Sequence, residues 1–155
     1  MRSLDDLLAD VPLFEGLAPG RLSLLAGCAH NVHFEAGEQL FRKGDQADTF
    51  YVVRHGGVAL ETFVPAGGSI VIETLGAEEV VGWSWLFPPY RWHFDGRALD
   101  TVRATAFDAA CLRRKCDDDP ALGYELMGRF AQVVIDRLQS TRLRLLDIYG
   151  RGDDR

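Results

Sequence analysis

At 155 residues the chain has the length of one domain with its own core, and a chain of this size buries roughly 68–70% of its unfolded surface. A hydrophobic fraction of 47% and a charged fraction of 26% are those of a globular protein. The net charge of −6 weighs against a chain held to nucleic acid or an anionic membrane by a general positive field, and no run of eighteen apolar residues is present to span a bilayer.

The first thirty residues read as helical. Leu4, Leu7 and Leu8 share one helical face, Pro12 breaks it, and Phe14-Glu15-Gly16-Leu17 makes a turn. Leu22, Leu24 and Leu25 continue a second short helix toward His30. Asp5, Asp6 and Asp10 stand where a secretory signal would carry a basic start and an apolar stretch, so a cytoplasmic protein is expected.

From residue 31 to 108 the pattern changes to short apolar runs separated by turn chemistry. The runs are 39–42, 49–54, 58–64, 70–75, 79–82, 93–99 and 102–108. Val58, Leu60, Thr62 and Val64 repeat with period two, the mark of a strand with one buried face. Ala36-Gly37-Glu38, Lys43-Gly44-Asp45, Gly56-Gly57 and Pro65-Ala66-Gly67-Gly68 supply the tight turns between them. Many short, evenly spaced strands imply a β-sandwich or a small barrel.

Beyond Asp108 the helical signal returns. Asp119 is a good N-cap and Pro120 fits the first helical position. A proline-free helix is predicted from Ala121 to about Tyr149, with Gly150 as its stop. Leu122, Leu126, Phe130, Val133, Arg137, Ser140 and Arg144 follow one stripe. Met127, Val134, Leu138, Thr141, Leu145 and Ile148 follow its neighbour. A helix about 40 Å long exceeds what a small barrel can cover. Its apolar residues Leu126, Phe130, Val133, Val134, Leu138, Thr141 and Leu145 are therefore assigned to a homodimer seam. The alternative is a helix folded wholly onto its own barrel. The chain divides into N-terminal helices (1–30), a barrel (31–108), C-terminal helices (109–150) and a disordered tail (151–155).

Few side chains suggest chemistry. Cys28, Cys111 and Cys116 are too few, and odd in number, for a disulfide framework, and are read as inert core or surface thiols. His30, His33, His55 and His93 have no zinc spacing, and no cysteine cluster is set for haem or an iron–sulfur group. Glu78-Glu79 reads as a solvated turn, and Asp117-Asp118-Asp119 as a helix start. No nucleophile elbow, phosphate loop or paired catalytic carboxylates are present, so neither catalysis nor a metal or other cofactor is expected. Arg129, Arg137, Arg142, Arg144, Arg151 and Arg155 make the C-terminal part basic. They read as a solvated flank paired with Asp136 and Asp147 in preference to a nucleic-acid surface.

Specific words stand within this order of helix, barrel and long helix. Leu13-Phe14-Glu15-Gly16-Leu17 resembles the opening of the CRP/FNR family and its relatives in kinases and ion channels. So does the stretch Glu35-Ala36-Gly37-Glu38-Gln39-Leu40-Phe41-Arg42-Lys43-Gly44-Asp45. Asp48-Thr49-Phe50-Tyr51-Val52-Val53, followed by Gly56-Gly57-Val58, looks like the family's third and fourth strands. The resemblance runs from Leu13 to about Tyr149 and implies a double-stranded β-helix, or jelly roll, with a cyclic-nucleotide pocket. It also implies a phosphate-binding cassette after strand six, in which a glutamate takes the ribose hydroxyl and an arginine takes the cyclic phosphate.

Laid on that pattern without a gap, Gly82-Trp83-Ser84-Trp85-Leu86-Phe87-Pro88-Pro89-Tyr90-Arg91-Trp92-His93-Phe94 puts Trp83 on the glutamate and Trp92 on the arginine. Arg91 falls one place early, and Arg97 lies on the following strand. Each lost charged hydrogen bond costs about 1.5–3 kcal/mol. Two losses amount to roughly two to four orders of magnitude in affinity, so cAMP and cGMP should bind poorly unless Arg91 or Arg97 swings in. Gly82, Trp83, Ser84, Trp85, Leu86, Arg91, Trp92, His93 and Arg97 are the candidate ligand residues. The rings allow three readings: a pocket remade for a flat ligand gripped by Arg91, a plugged pocket, or a protein contact. Leu145-Leu146-Asp147-Ile148-Tyr149-Gly150 resembles the family's hinge, and no helix-turn-helix follows. The expectation is a stand-alone sensor or adaptor with a protein partner and no direct nucleic-acid contact. A transcription regulator working without its own helix-turn-helix is the other reading.

Overall fold

The computed structural model describes residues 3–153. Helix α1 (Leu4–Ala9), a 3-10 turn (Pro12–Phe14) and α2 (Pro19–Ala26) precede eight strands. These are β1 (Ala29–Phe34), β2 (Gln39–Phe41), β3 (Thr49–His55), β4 (Val58–Val64), β5 (Gly68–Leu75), β6 (Val80–Val81), β7 (Asp95–Ala98) and β8 (Val102–Asp108). Helices α3 (Ala109–Asp118) and α4 (Pro120–Asp153) follow. The strands form two four-stranded antiparallel sheets, ordered β1-β8-β3-β6 and β2-β7-β4-β5. This is the jelly roll that the strand spacing and the resemblance imply.

Helix starts follow their caps. Ser3 and Asp6 close a capping box on α1. Asp108 accepts from the Cys111 amide at 3.0 Å, and Asp119 from the Leu122 amide at 3.3 Å. Gly150 does not stop α4, which runs on to Asp153. A glycine ends a helix by turning left-handed, and Gly150 is not among the residues with positive φ. The expected disordered tail is therefore helical through Asp153; Asp154 and Arg155 lie outside the described residues.

Two apolar clusters hold the fold. The first lies under the helices, where Phe50 stacks on Phe107 at 4.5 Å and on Trp85 at 5.0 Å, and Phe130 meets Phe50 edge-on at 5.0 Å. Leu122, Leu126 and Phe130 are buried in it. Leu126 and Phe130 thus leave the predicted dimer seam, because the barrel's own helices cover them. The second cluster fills the space between the sheets and centres on Phe41 and Trp92, stacked at 3.7 Å and 8°. The period-two reading of β4 holds only in part. Val58 and Leu60 are buried, but Ala59 and Glu61 are buried as well. The register shift in the β4–β5 pairing skips Ile72 of β5 and leaves β4 itself continuous; Phe63, on the outward face, is 69% exposed.

The reading of three inert thiols is corrected for two of them. Cys28, after α2, and Cys111, in α3, form a disulfide with Cα atoms 5.7 Å apart, while Cys116 is free. The partners are 83 residues apart in sequence. In the chain-entropy account a loop of that length restricts the unfolded state by about 4.5 kcal/mol. Reduction, or Cys28→Ser, should lower the unfolding free energy by about that amount in urea titrations. A midpoint that does not change on reduction would show that the bridge contributes nothing.

Trp92 lies against Gly82, where an added Cβ would sit 2.5 Å from the indole Cη2 and φ is +103°. On the other side of the stack, a Cβ at Gly96 would sit 2.5 Å from the Phe41 Cζ. Gly82→Ala combines strained backbone with overpacking and should cost about 2–5 kcal/mol. The same urea titration would read it, and a cost under about 0.5 kcal/mol would show that the ring is not held there.

Candidate functional site

The cassette, residues 82–94, links β6 to β7. Gly82 turns the chain at positive φ, and a 3-10 turn, Ser84–Leu86, follows Trp83. The Pro88–Pro89 bond is cis and Tyr90 has φ +56°. The returning limb then bonds to the turn between β2 and β3. The Trp92 amide donates to the Asp45 carbonyl at 3.0 Å, the Gly44 amide to the Trp92 carbonyl at 2.9 Å, and the Ala47 amide to the Tyr90 carbonyl at 2.6 Å. Lys43-Gly44-Asp45 in the quoted stretch is therefore a docking strip for the cassette.

A cavity of about 20 Å³ lies between residues 82–84, residues 92–94 and Arg137 of α4, with room for about one water. Of the candidate residues, Gly82, Trp83, Ser84, Trp92 and His93 line it, joined by Phe41, Leu60 and Phe94. Trp83 is half-buried, Ser84 is buried and His93 is exposed at the mouth. Trp92 is buried and fills the barrel instead of leaving room for a guest.

The other candidates lie elsewhere. Trp85 is 1% exposed and packs with Phe50 and Phe130 in the helical cluster, its indole N–H without an acceptor. Leu86 packs against that same cluster. Arg91 is exposed and donates to the Gly44 carbonyl at 2.9 Å. Arg97 donates through Nε, at 3.0 Å, and Nη2, at 2.5 Å, to Oε1 of Glu61 across the neighbouring strand. The Arg97 guanidinium holds the Glu61 carboxyl below its usual range, with Ser69 adding a weaker hydrogen bond. Neither arginine points into the cavity, and neither is among its lining residues.

Two arginines that the cassette pattern does not include hold it instead. Arg113 of α3 donates to the Trp85 carbonyl at 2.7 Å and lies 4.7 Å from the Tyr90 ring centroid. Arg137 of α4 donates to the Val80 carbonyl and lies 5.1 Å from the Trp83 ring centroid. Burial pushes the Arg137 pKa down, and the charges of Glu73 and Glu79 partly offset this. The signal for Arg137 was its place in the stripe of Leu122, Leu126, Phe130 and Val133, where a cation is out of pattern.

The basic flank is also corrected in part. Arg129 donates to the Leu13 and Glu15 carbonyls, both at 2.8 Å, and Arg144 to the Ile72 carbonyl at 3.0 Å. With Arg137, these side chains tie α4 to the rest of the domain through backbone carbonyls. Leu138, Thr141 and Leu145 of the predicted seam are exposed, while Val133 and Val134 are half-buried. Among the described residues no group of His, Cys, Asp and Glu is placed to hold a metal ion. No helix there is long and apolar enough to cross a membrane.

Comparison with known proteins agrees with this geometry. The cyclic nucleotide-binding domain family matches residues 31–119. The CRP-like cAMP-activated global transcriptional regulator of Mycobacterium tuberculosis is 26% identical over 145 residues, covering 94% of this chain and 63% of that protein. The chain thus spans less than two thirds of the length of that curated relative. A Geobacter metallireducens structure of the cyclic nucleotide-binding type aligns with a TM-score of 0.79 at 27% identity, covering 89% of this chain and 99% of that one. The N-terminal domain of a Streptomyces coelicolor transcriptional regulator aligns with a TM-score of 0.68 at 28% identity, covering 90% and 95%. With a family match over residues 31–119, more than half of its length, this chain belongs to the cyclic nucleotide-binding domain family and has CRP-like regulators among its relatives.

Proposed function

We propose that the chain is a non-catalytic regulatory domain that acts as a homodimer through α4 and signals to a protein partner. In this reading its cassette does not hold cAMP or cGMP by the acid and base of its relatives. The observation that carries it is Trp92, buried and stacked on Phe41 at the position where the phosphate-holding arginine is expected. Trp83 stands on the ribose-holding position and lies beneath Arg137. A charged ligand brought there would lose both anchors and meet apolar rings.

Coupling to the helices is supported by the two arginine contacts. Arg113 and Arg137 each join a cassette ring and a nearby backbone carbonyl to a C-terminal helix. A change at Trp83 or Tyr90 is therefore felt directly by α3 and α4. Dimerisation is supported by the outer face of α4, where Met127, Val134, Leu138, Thr141, Leu145 and Ile148 fall on a seam of three- and four-residue steps. Met127, Leu138, Leu145 and Ile148 are all exposed. At 34 residues α4 is about 51 Å long, and every residue from 138 to 150 is exposed. The CRP-like relatives support a transcription-linked pathway for this domain. The cavity of about 20 Å³ favours a second reading, an interaction module whose pocket is closed for good.

Titration of cAMP and cGMP against tryptophan fluorescence checks the first point, because all three tryptophans lie at residues 83–92. The expected result is no saturable change below about 1 mM; binding tighter than about 10 µM would overturn the reading. Sedimentation should show a dimer that Leu138→Glu with Leu145→Glu converts to a monomer. A wild-type chain that is monomeric throughout the concentration series would rule out the α4 seam.

A further inference from the structure

The Cys28–Cys111 bond lies at the joint between α2 and α3. A barrel held by two apolar clusters does not need a covalent staple of the kind that small secreted domains carry. We propose that this pair is a redox site: a dithiol of the thioredoxin class reduces it reversibly, and the state of the bond sets how firmly the N-terminal helices hold the early turns of α4. The site rests on the regulatory reading above for its setting. A transcription-linked regulator works where such dithiols keep thiols reduced, and disulfides found there serve redox sensing or catalysis.

The two sulfurs are unequal. Cys28 is 5% exposed, whereas Cys111 is half-buried. A thiolate of the dithiol therefore attacks the Cys111 sulfur, the bond between the two cysteines breaks, and Cys28 leaves with the electron pair and takes up a proton. The second thiol of the reductant, giving up its proton, attacks the mixed disulfide and releases Cys111 as a thiol. The reductant ends with an internal disulfide, and the protein gains two electrons and two protons. Lys115 is placed to help. Its Nζ donates to the Leu24 carbonyl at 2.8 Å and lies beside Gly27, the neighbour of Cys28, where a cation favours the departing thiolate. The third cysteine stays out of the exchange. Burial, with the charges of Asp117 and Asp119, pushes the Cys116 pKa up and keeps that thiol protonated.

What the bond secures is a bracket. Helix α2 buries Leu22 and Leu25, and polar ties join it to the helices that follow the barrel: Lys115 of α3 to the Leu24 carbonyl, and Arg21 to Glu125 of α4. The segment before α2 supplies the Leu13 and Glu15 carbonyls that hold Arg129 of α4. The disulfide is the covalent end of this bracket. Opening it leaves the grip on Glu125 and Arg129 to bonds that water can replace. Helices α1 and α2 and the early turns of α4 then loosen together, while the apolar clusters keep the fold.

The test uses the full chain, oxidised or treated with dithiothreitol without denaturant. Thiols are counted by alkylation after a denaturing quench, and hydrogen exchange is read by segment. One cysteine should be alkylated in the oxidised chain and all three after reduction. Circular dichroism should stay native, and exchange in residues 4–26 and 121–130 should speed up at least about ten-fold and return on reoxidation. Cys28→Ser should hold the fast state in either buffer, whereas Cys116→Ser should switch as the wild-type chain does. A bond that about 10 mM dithiothreitol opens only in denaturant would overturn the redox site. A reduced chain that unfolds would make the bond a staple and overturn the switch. Unchanged exchange in a reduced, folded chain would overturn the grip on α4. Sedimentation of both forms separates this site from the dimer reading. A chain that is monomeric in both states, with exchange switching as described, removes the α4 dimer and supports the redox site; a dimer whose bond does not cycle does the reverse.

Discussion

Trp92 can lie at the middle of the barrel only because two glycines leave room for an aromatic pair. A side chain at either Gly82 or Gly96 would enter the stack that Trp92 makes with Phe41. With that ring inside, the adjacent Arg91 must point outward, where the Gly44 carbonyl takes it. The returning limb of the cassette is then pinned to residues 44–47 by three backbone hydrogen bonds. Trp83, on the opposite limb, is left facing α4, where Arg137 meets it. One packing constraint thus determines which cassette side chains face the cavity and which face solvent.

Helix α4 is held by different means along its length. Near its start Leu122, Leu126 and Phe130 are buried among apolar partners, a non-directional and strong attachment. Further along, the ties are guanidinium groups bonded to backbone carbonyls: Arg129 to Leu13 and Glu15, Arg137 to Val80, and Arg144 to Ile72. Such bonds depend on direction and are exchangeable for water or for another acceptor. Attachment therefore weakens from the start of the helix toward its end.

The fold could be read from the sequence because its signals are local. Strand runs, turn glycines, Asp119-Pro120 and the order of elements all depend on near neighbours. Strand β1 escaped the list of apolar runs because His30, Asn31 and His33 are exposed and break any apolar alternation. The site was legible only in part. The rings at 83 and 92 were found by register, but the direction of an arginine depends on which carbonyl or carboxylate lies nearby. Arg97 is captured by Glu61, a residue 36 positions earlier. Two stripes on one helix look alike in sequence, so Leu126 and Phe130 could not be told from Leu138 and Leu145 until the barrel was in place. The Cys28 and Cys111 pairing was beyond reach for the same reason: only the closed barrel brings them together.

That pairing also sorts the molecule into two parts. All eight strands, from Ala29 to Asp108, fall between the bonded cysteines, so the jelly roll is enclosed in one covalent ring. Helix α4 branches from the ring after its closure point. Undocking α4 would withdraw Arg137 from the edge of the cavity without opening a single link of the loop that carries the other walls.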